Sequence, residues 1–239
     1  MNHVITIDGP TGSGKSTVSR LLAKRLQYPY LDTGAMYRAV ALALKRAGLT
    51  LQDQEAIAII CKNLDIRFAP EGNTSRVYLG LEDVTQAIRE PAMDLLASDS
   101  SKLEVVRNAM TTLQRKIASH GPLVAEGRDM GTVVFPDAQH KFYLDASLEV
   151  RVDRRFLERK DTAEPVSREK VREDLIARDH QDMNRPLAPL KPAKDATIID
   201  TTDLTVDQVV KAILREIKKK GIKGFQQALR SRSKLNLSR

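Results

Sequence analysis

The apolar positions switch period along the chain, and each switch marks an element. His3 to Asp8 is short and β-branched, so it predicts a buried strand. A glycine-rich turn, Gly9 to Gly14, follows. Val18, Leu21, Leu22 and Leu26 then recur at helical spacing, predicting a helix from about Lys15 to Gln27. Tyr30 to Asp32 reads as a strand end or turn, and Ala35 to Ala47 as a second helix stopped at Gly48. A helix over Asp53 to Asn63 precedes three β-prone runs, Asp65–Phe68, Arg76–Leu79 and Asp83–Thr85. Gly72-Asn73 and Gly80 separate those runs, so a small antiparallel sheet inserted at about 64–86 is expected. Helices resume near Asp94 and continue to about Ser119. Leu123–Ala125, Lys141–Asp145 and Ala196–Asp200 predict strands. Leu148–Lys160, Ser167–Met183 and Val206–Lys218 predict helices. Asp161–Pro165 is a polar break, and Asn184–Pro192, with three prolines, is an extended loop. Strands alternating with helices imply an α/β fold.

Composition changes the picture in two places. No apolar run approaches the roughly 20 residues a membrane helix needs, and no secretory signal is visible. With a single cysteine, Cys61, the chain is expected to be cytoplasmic, without a disulfide framework or multi-cysteine metal site. The net charge of +8 sits entirely at the end: from Arg215 onward nine basic residues face only Glu216. The preceding body is balanced, so nucleic acid is an unlikely partner except weakly, through this tail. Residues 221–239 read as a disordered solubilising end, with weak attraction to RNA or anionic surfaces as the competing reading.

Four segments carry chemistry. Gly9-Pro10-Thr11-Gly12-Ser13-Gly14-Lys15-Ser16-Thr17 has the phosphate-loop pattern between a strand and a helix. Its glycines let backbone N–H groups turn toward phosphate oxygens, Lys15 can reach the β- and γ-phosphates, and the Ser16 hydroxyl can sit on Mg²⁺. The pattern implies a nucleoside triphosphate and says nothing of the acceptor. Leu31 to Arg38 alone is a capped helix start, but it sets Arg38 where an acceptor phosphate could be held. Glu126-Gly-Arg128-Asp129 follows a strand, at the edge where α/β sheets bind ligands. Arg151, Arg154 and Arg155 share a helix face, and Arg159, Arg178 and Arg185 follow. These suit phosphoryl transfer, or for Arg151 a solvated helix paired with Asp153 and Glu158.

Together these segments resemble the bacterial cytidylate kinases, which phosphorylate CMP and dCMP. The resemblance rests on Ile5–Thr17, Leu31–Arg38, Glu126–Asp137 and Arg178-Asp-x-x-Asp-x-Asn-Arg185, and extends to about Lys218. It implies a five-stranded parallel sheet wrapped by helices, with the β insert in the monophosphate-binding region and a short lid at about 155–168. One kinase domain would span 1–220. It further implies ATP as co-substrate, Mg²⁺ and a monomer. By the family pattern, Thr33, Ser98, Arg107 and Asp129 meet cytosine. Arg38, Arg128 and Arg185 hold the acceptor phosphate, and Arg178 with Asp182 the sugar. Arg155 and Arg159 approach the ATP phosphates. Lys15, Arg128, Arg185 and Arg155 would be the electrostatic catalysts, and Glu126 would order Mg²⁺-bound water. Thr33 departs from the usual serine, keeping the hydroxyl. Two other readings stay open: a P-loop kinase of another small metabolite, such as shikimate or gluconate, and a nucleic-acid-binding P-loop protein using the tail.

Overall fold

A computed structural model describes residues 3–71, 74–159 and 166–221. In chain order the elements are β1 (Val4–Asp8), α1 (Lys15–Leu26), β2 (Tyr30–Asp32), α2 (Thr33–Arg46), α3 (Gln54–Asn63), β3 (Ile66–Glu71), β4 (Thr74–Leu79) and β5 (Glu82–Asp83). They continue as α4 (Pro91–Ser100), α5 (Glu104–Ala118), β6 (Leu123–Gly127), β7 (His140–Asp145), α6 (Leu148–Arg159), α7 (Arg168–Asn184), β8 (Thr197–Asp200) and α8 (Val206–Lys220).

Five strands form one sheet in the order β2-β6-β1-β7-β8, every pair parallel. Parallel neighbours need crossovers, and the helices supply them on both faces. The register sorts the side chains. Ile5 lies beside Val124, and both face a core with Val18, Leu22, Phe142, Leu144, Val210 and Ile213, beneath α1 and α8. Val4, Leu31, Leu123 and Ala125 face the opposite core with Met36, Val40, Val106 and Met110, beneath α2 and α5. Ile7 lies beside Glu126 at the carboxyl edge. The same alternation that buries Val124 therefore sends the Glu126 side chain to the α1 side, next to the phosphate loop.

β3, β4 and β5 make a separate antiparallel sheet, paired Ile66 with Leu79 through Glu71 with Thr74. It lies where the turn residues predict it. Its bounds lie a few residues from the predicted runs.

Other expectations shift. Tyr30–Asp32 is a true edge strand, although only three residues long. α2 begins at Thr33, because Asp32 caps it by accepting from the Ala35 N–H at 2.8 Å. Arg38 therefore lies two residues, about half a turn, deeper than a start at Ala35 gives. The helices expected from Asp94 to Ser119 are α4 and α5, with the break between Ser100 and Glu104. After Asp129 the chain makes a π-type turn: Val134 and Phe135 donate to carbonyls five residues back, on Asp129 and Met130. Nothing in the periodicity announces that turn. The polar break at Asp161–Pro165 and the tail beyond Gly221 lie outside the described residues. Among the described residues no helix is long and apolar enough to cross a membrane.

Candidate active site

The carboxyl ends of β1, β6 and β2 open into a cavity of about 560 Å³. Its floor is the loop between β1 and α1. Gly12 and Gly14 take φ of +78° and +83°, in the left-handed region where a side chain is strained. A Cβ on Gly12 would lie 2.9 Å from Arg151 Cβ and from its carbonyl oxygen, so the loop also packs too closely for any other residue. The Arg151 guanidinium donates to the Thr11 carbonyl at 3.2 Å and pairs with Asp179 at 2.6 Å. This corrects the solvated reading of Arg151. Its partner lies on α7, not on its own helix, and the pair braces the loop from behind. Arg154, on the same face, donates to Thr201.

Lys15 is buried, with its Nζ donating to the Pro10 carbonyl at 3.0 Å. Burial first, then the neighbouring Arg128 charge, holds its pKa well below the ordinary lysine range, while Glu126 pulls the other way. An anion in the cavity would oppose both lowering effects by its charge. Glu126 is also buried, and desolvation, with Asp32 nearby, raises its pKa. Its Oε1 accepts from the Tyr30 hydroxyl at 2.7 Å, but its buried Oε2 has no hydrogen-bond partner. Ser16 lies close enough to ease the Glu126 charge. A hydroxyl and an unsatisfied carboxylate oxygen are hard donors that fit Mg²⁺, whose remaining ligands are commonly water and phosphate. Among the described residues no group of three or more His, Cys, Asp or Glu could hold a metal by itself.

The walls carry the cations. Arg128 donates to Asp182 and to the Thr11 hydroxyl, both at 2.8 Å, and so ties the β6 end to α7 and to the phosphate loop. Burial would lower its pKa, but Asp182 outweighs that and raises it. Arg185 donates its Nε to the Ala188 carbonyl at 2.6 Å. Arg38 lies 3.8 Å from Asp32 and 3.7 Å from Asp94, and Arg178 lies 3.7 Å from Asp94. Three guanidinium nitrogens, Arg38 Nε, Arg178 Nε and Arg185 Nη2, are buried without a hydrogen-bond partner. Unsatisfied cationic donors around one cavity are a site waiting for an anion.

At the far end Arg107 pairs with Asp129, both almost fully buried, while the guanidinium sits 5.8 Å from the Tyr37 ring centroid. Arg185 approaches the other Asp129 oxygen at 3.7 Å. Thr33 donates its hydroxyl to the Glu126 carbonyl at 2.6 Å, leaving only its lone pairs toward the cavity. Ser98 accepts from Gln181 at 2.7 Å.

Most of the expected residues meet here. Thr11 to Thr17, Thr33, Arg38, Ser98, Glu126, Arg128, Asp129, Arg155, Arg178, Asp182 and Arg185 line the cavity. Gly9, Pro10 and Arg107 stand behind it. Arg159 lies away from the lining and pairs with Asp174 at 3.5 Å. Sequence reasoning missed Asp94, Tyr37 and the wall of Thr201, Leu204, Val206 and Val209. The apolar wall carried no motif, because Leu204, Val206 and Val209 are ordinary aliphatic residues at the start of α8 and in the turn before it.

A cytidylate kinase family model matches residues 5–219. A cytidylate kinase of Geobacter sp. (strain M21) is 46% identical over 221 residues, which is 92% of this chain and 95% of that protein. One from Pseudomonas savastanoi pv. phaseolicola is 46% identical over 223 residues, 92% of this chain and 97% of that protein. One from Thermotoga neapolitana is 44% identical over 221 residues, covering 92% and 99%. With the phosphate loop, the β insert and the arginine-lined cavity held inside one match of that length, the chain belongs to the cytidylate kinase family.

Proposed function

We propose that the protein transfers the γ-phosphoryl group of ATP to CMP or dCMP, giving ADP and CDP or dCDP. The observation that carries this reading is the set of buried, partnerless guanidinium nitrogens on Arg38, Arg178 and Arg185, facing a phosphate loop across one cavity. One anion is received by the loop and a second by the arginines. A kinase acting on a neutral sugar or an alcohol has no need for the second set.

ATP is held by the loop amides, Lys15 and Ser16, with its base toward Leu204, Val206 and Val209. Ser16, and Glu126 through ordered water, would hold Mg²⁺, which would supply positive charge to the transferring group. The acceptor phosphate lies against Arg38, Arg128 and Arg185. It is already ionised near neutral pH, so the reaction needs no strong general base. The work of the chain is to align donor and acceptor and to neutralise the charge spread over the equatorial oxygens. Lys15, Arg128 and Arg185 lie between the two phosphates and carry most of that charge; Arg155 adds to it from α6.

Asp129 reads the base. Cytosine offers an amino donor where uracil has an acceptor oxygen. The Asp129 carboxylate and the Thr33 lone pairs accept from that amine, while Arg107 donates to the ring's acceptors. Against uracil two acceptors would face each other, buried and unpaired.

Lys15→Ala tests the reading. Turnover of ATP with CMP should fall by about two orders of magnitude or more, as loss of a preorganised charge does, with the circular dichroism spectrum unchanged. Wild-type turnover in a folded Lys15→Ala variant would overturn the assignment.

A further inference from the structure

We propose that Asp94 is a built-in stand-in anion. It holds the acceptor-side arginines and the donor-side Arg155 together until a substrate phosphate displaces it, and it thereby sets both acceptor affinity and the placement of Arg155. The proposal rests on the acceptor-phosphate reading of Arg38 given above, and it adds Arg178, whose Nε is likewise buried without a partner, to that anion's contacts.

Asp94 is in the first turn of α4, where the helix N-terminus favours an acid. Its contacts leave the helix altogether. Oδ2 accepts from Arg155 Nη2, on α6, at 2.8 Å. Oδ1 lies 3.7 Å from Arg38, on α2, and 3.7 Å from Arg178, on α7. A single carboxylate thus links four helices at the mouth of the cavity. It is the one acid that touches all three of these arginines among the described residues. Burial would raise its pKa, but Arg178, Arg38 and Arg155 outweigh that and keep it ionised.

The geometry is incomplete in an informative way. The contacts to Arg38 and Arg178 are too long for hydrogen bonds, and the Nε of each arginine is buried without a partner. A carboxylate with one negative charge and two oxygens cannot satisfy three guanidinium groups. A phosphate with two charges and three oxygens can. Asp94 therefore competes well against monoanions and poorly against a phosphate dianion. The same carboxylate fixes Arg155 by a close charge-assisted bond, so removing it frees the phosphate site and loosens Arg155 at once.

These two effects have opposite signs, which a merely structural residue would not give. The experiment compares the full-length wild type with Asp94→Asn and Asp94→Glu. Binding of inorganic phosphate to the protein with ADP already occupying the phosphate loop is measured by calorimetry, and turnover with ATP and CMP is measured beside it. A like charge about 4 Å from the site is worth about tenfold or more in affinity. Asp94→Asn should therefore bind phosphate about tenfold more tightly, lower KM for CMP and lower kcat. Asp94→Glu should restore part of kcat. Unchanged or weaker phosphate binding in a folded Asp94→Asn variant would overturn the proposal. So would weaker CMP binding with unchanged phosphate binding, because that pattern puts Asp94 on the sugar. A wild type that turns over no CMP would sink the functional reading alone, since the phosphate titration reports on Asp94 independently.

Discussion

In the proposed function, substrate choice depends on Asp129. It is buried against Arg107 and approached by Arg185, so its carboxylate is aimed before a base arrives. Asp129→Asn replaces one acceptor oxygen by a donor. It should cut kcat/KM for CMP by about a hundredfold and reduce the preference for CMP over UMP, because a missing buried partner costs about 1–3 kcal/mol or more. Competing the two nucleotides in one assay reads the ratio directly. Asp8 tests a different property of the same loop. Its carboxylate accepts from the Met130 and Gly131 N–H groups at 2.9 and 2.8 Å and so holds the chain just past Asp129. Burial, the larger effect, raises its pKa from 3.8 to about 7 despite those bonds. A group whose folded pKa lies above its unfolded value stabilises most below the unfolded value. The Asp8 contribution is thus full below about pH 4 and is lost as pH rises through about 7. Asp8→Asn should flatten the fall in Tm between pH 5 and 8, measured by calorimetry; an unchanged slope would place the titration elsewhere.

Among the elements, the β1–loop–α1 unit was the most legible in the sequence, because its glycines answer to backbone geometry alone. Gly12→Ala is the corresponding test. The substitution meets the Arg151 backbone and forces a left-handed φ on alanine. It should cost about 1–3 kcal/mol, lower Tm by several degrees and raise KM for ATP more than KM for CMP. Equal effects on both substrates would mean that the loop does not hold ATP. The inserted sheet was legible from its turns, and its pairing follows from them. The place where the 94–119 region divides into α4 and α5 was not legible, since Ser101 to Leu103 contains neither glycine nor proline. The turn after Asp129 was missed for a related reason. It is held by Asp8, more than a hundred residues earlier, and a local pattern cannot report a bond of that span. Arg151 shows the same limit from the other side. Its own helix carries the acids Asp153 and Glu158, but the facing helix α7 offered Asp179 in a drier place. Asp153 pairs with Arg168 instead.

For the whole molecule, one sheet edge gathers residues from β1, β2 and β6, and helices α2, α4, α6 and α7 close over them. Most of the site was legible because its motifs sit at strand ends, where the topology of a parallel sheet sends side chains to a common edge. Asp94 was not legible, because a lone acid in a helix's first turn looks like ordinary capping chemistry until its three arginines are seen around it. The two-anion cavity is the central claim, and its most direct test is ADP formation from ATP and Mg²⁺ with CMP, dCMP, UMP, AMP and shikimate compared side by side. The account predicts rapid turnover with CMP or dCMP, at least tenfold less with UMP and AMP, and none with shikimate, which lacks the second phosphate. Turnover with shikimate and silence on every nucleoside monophosphate would contradict it.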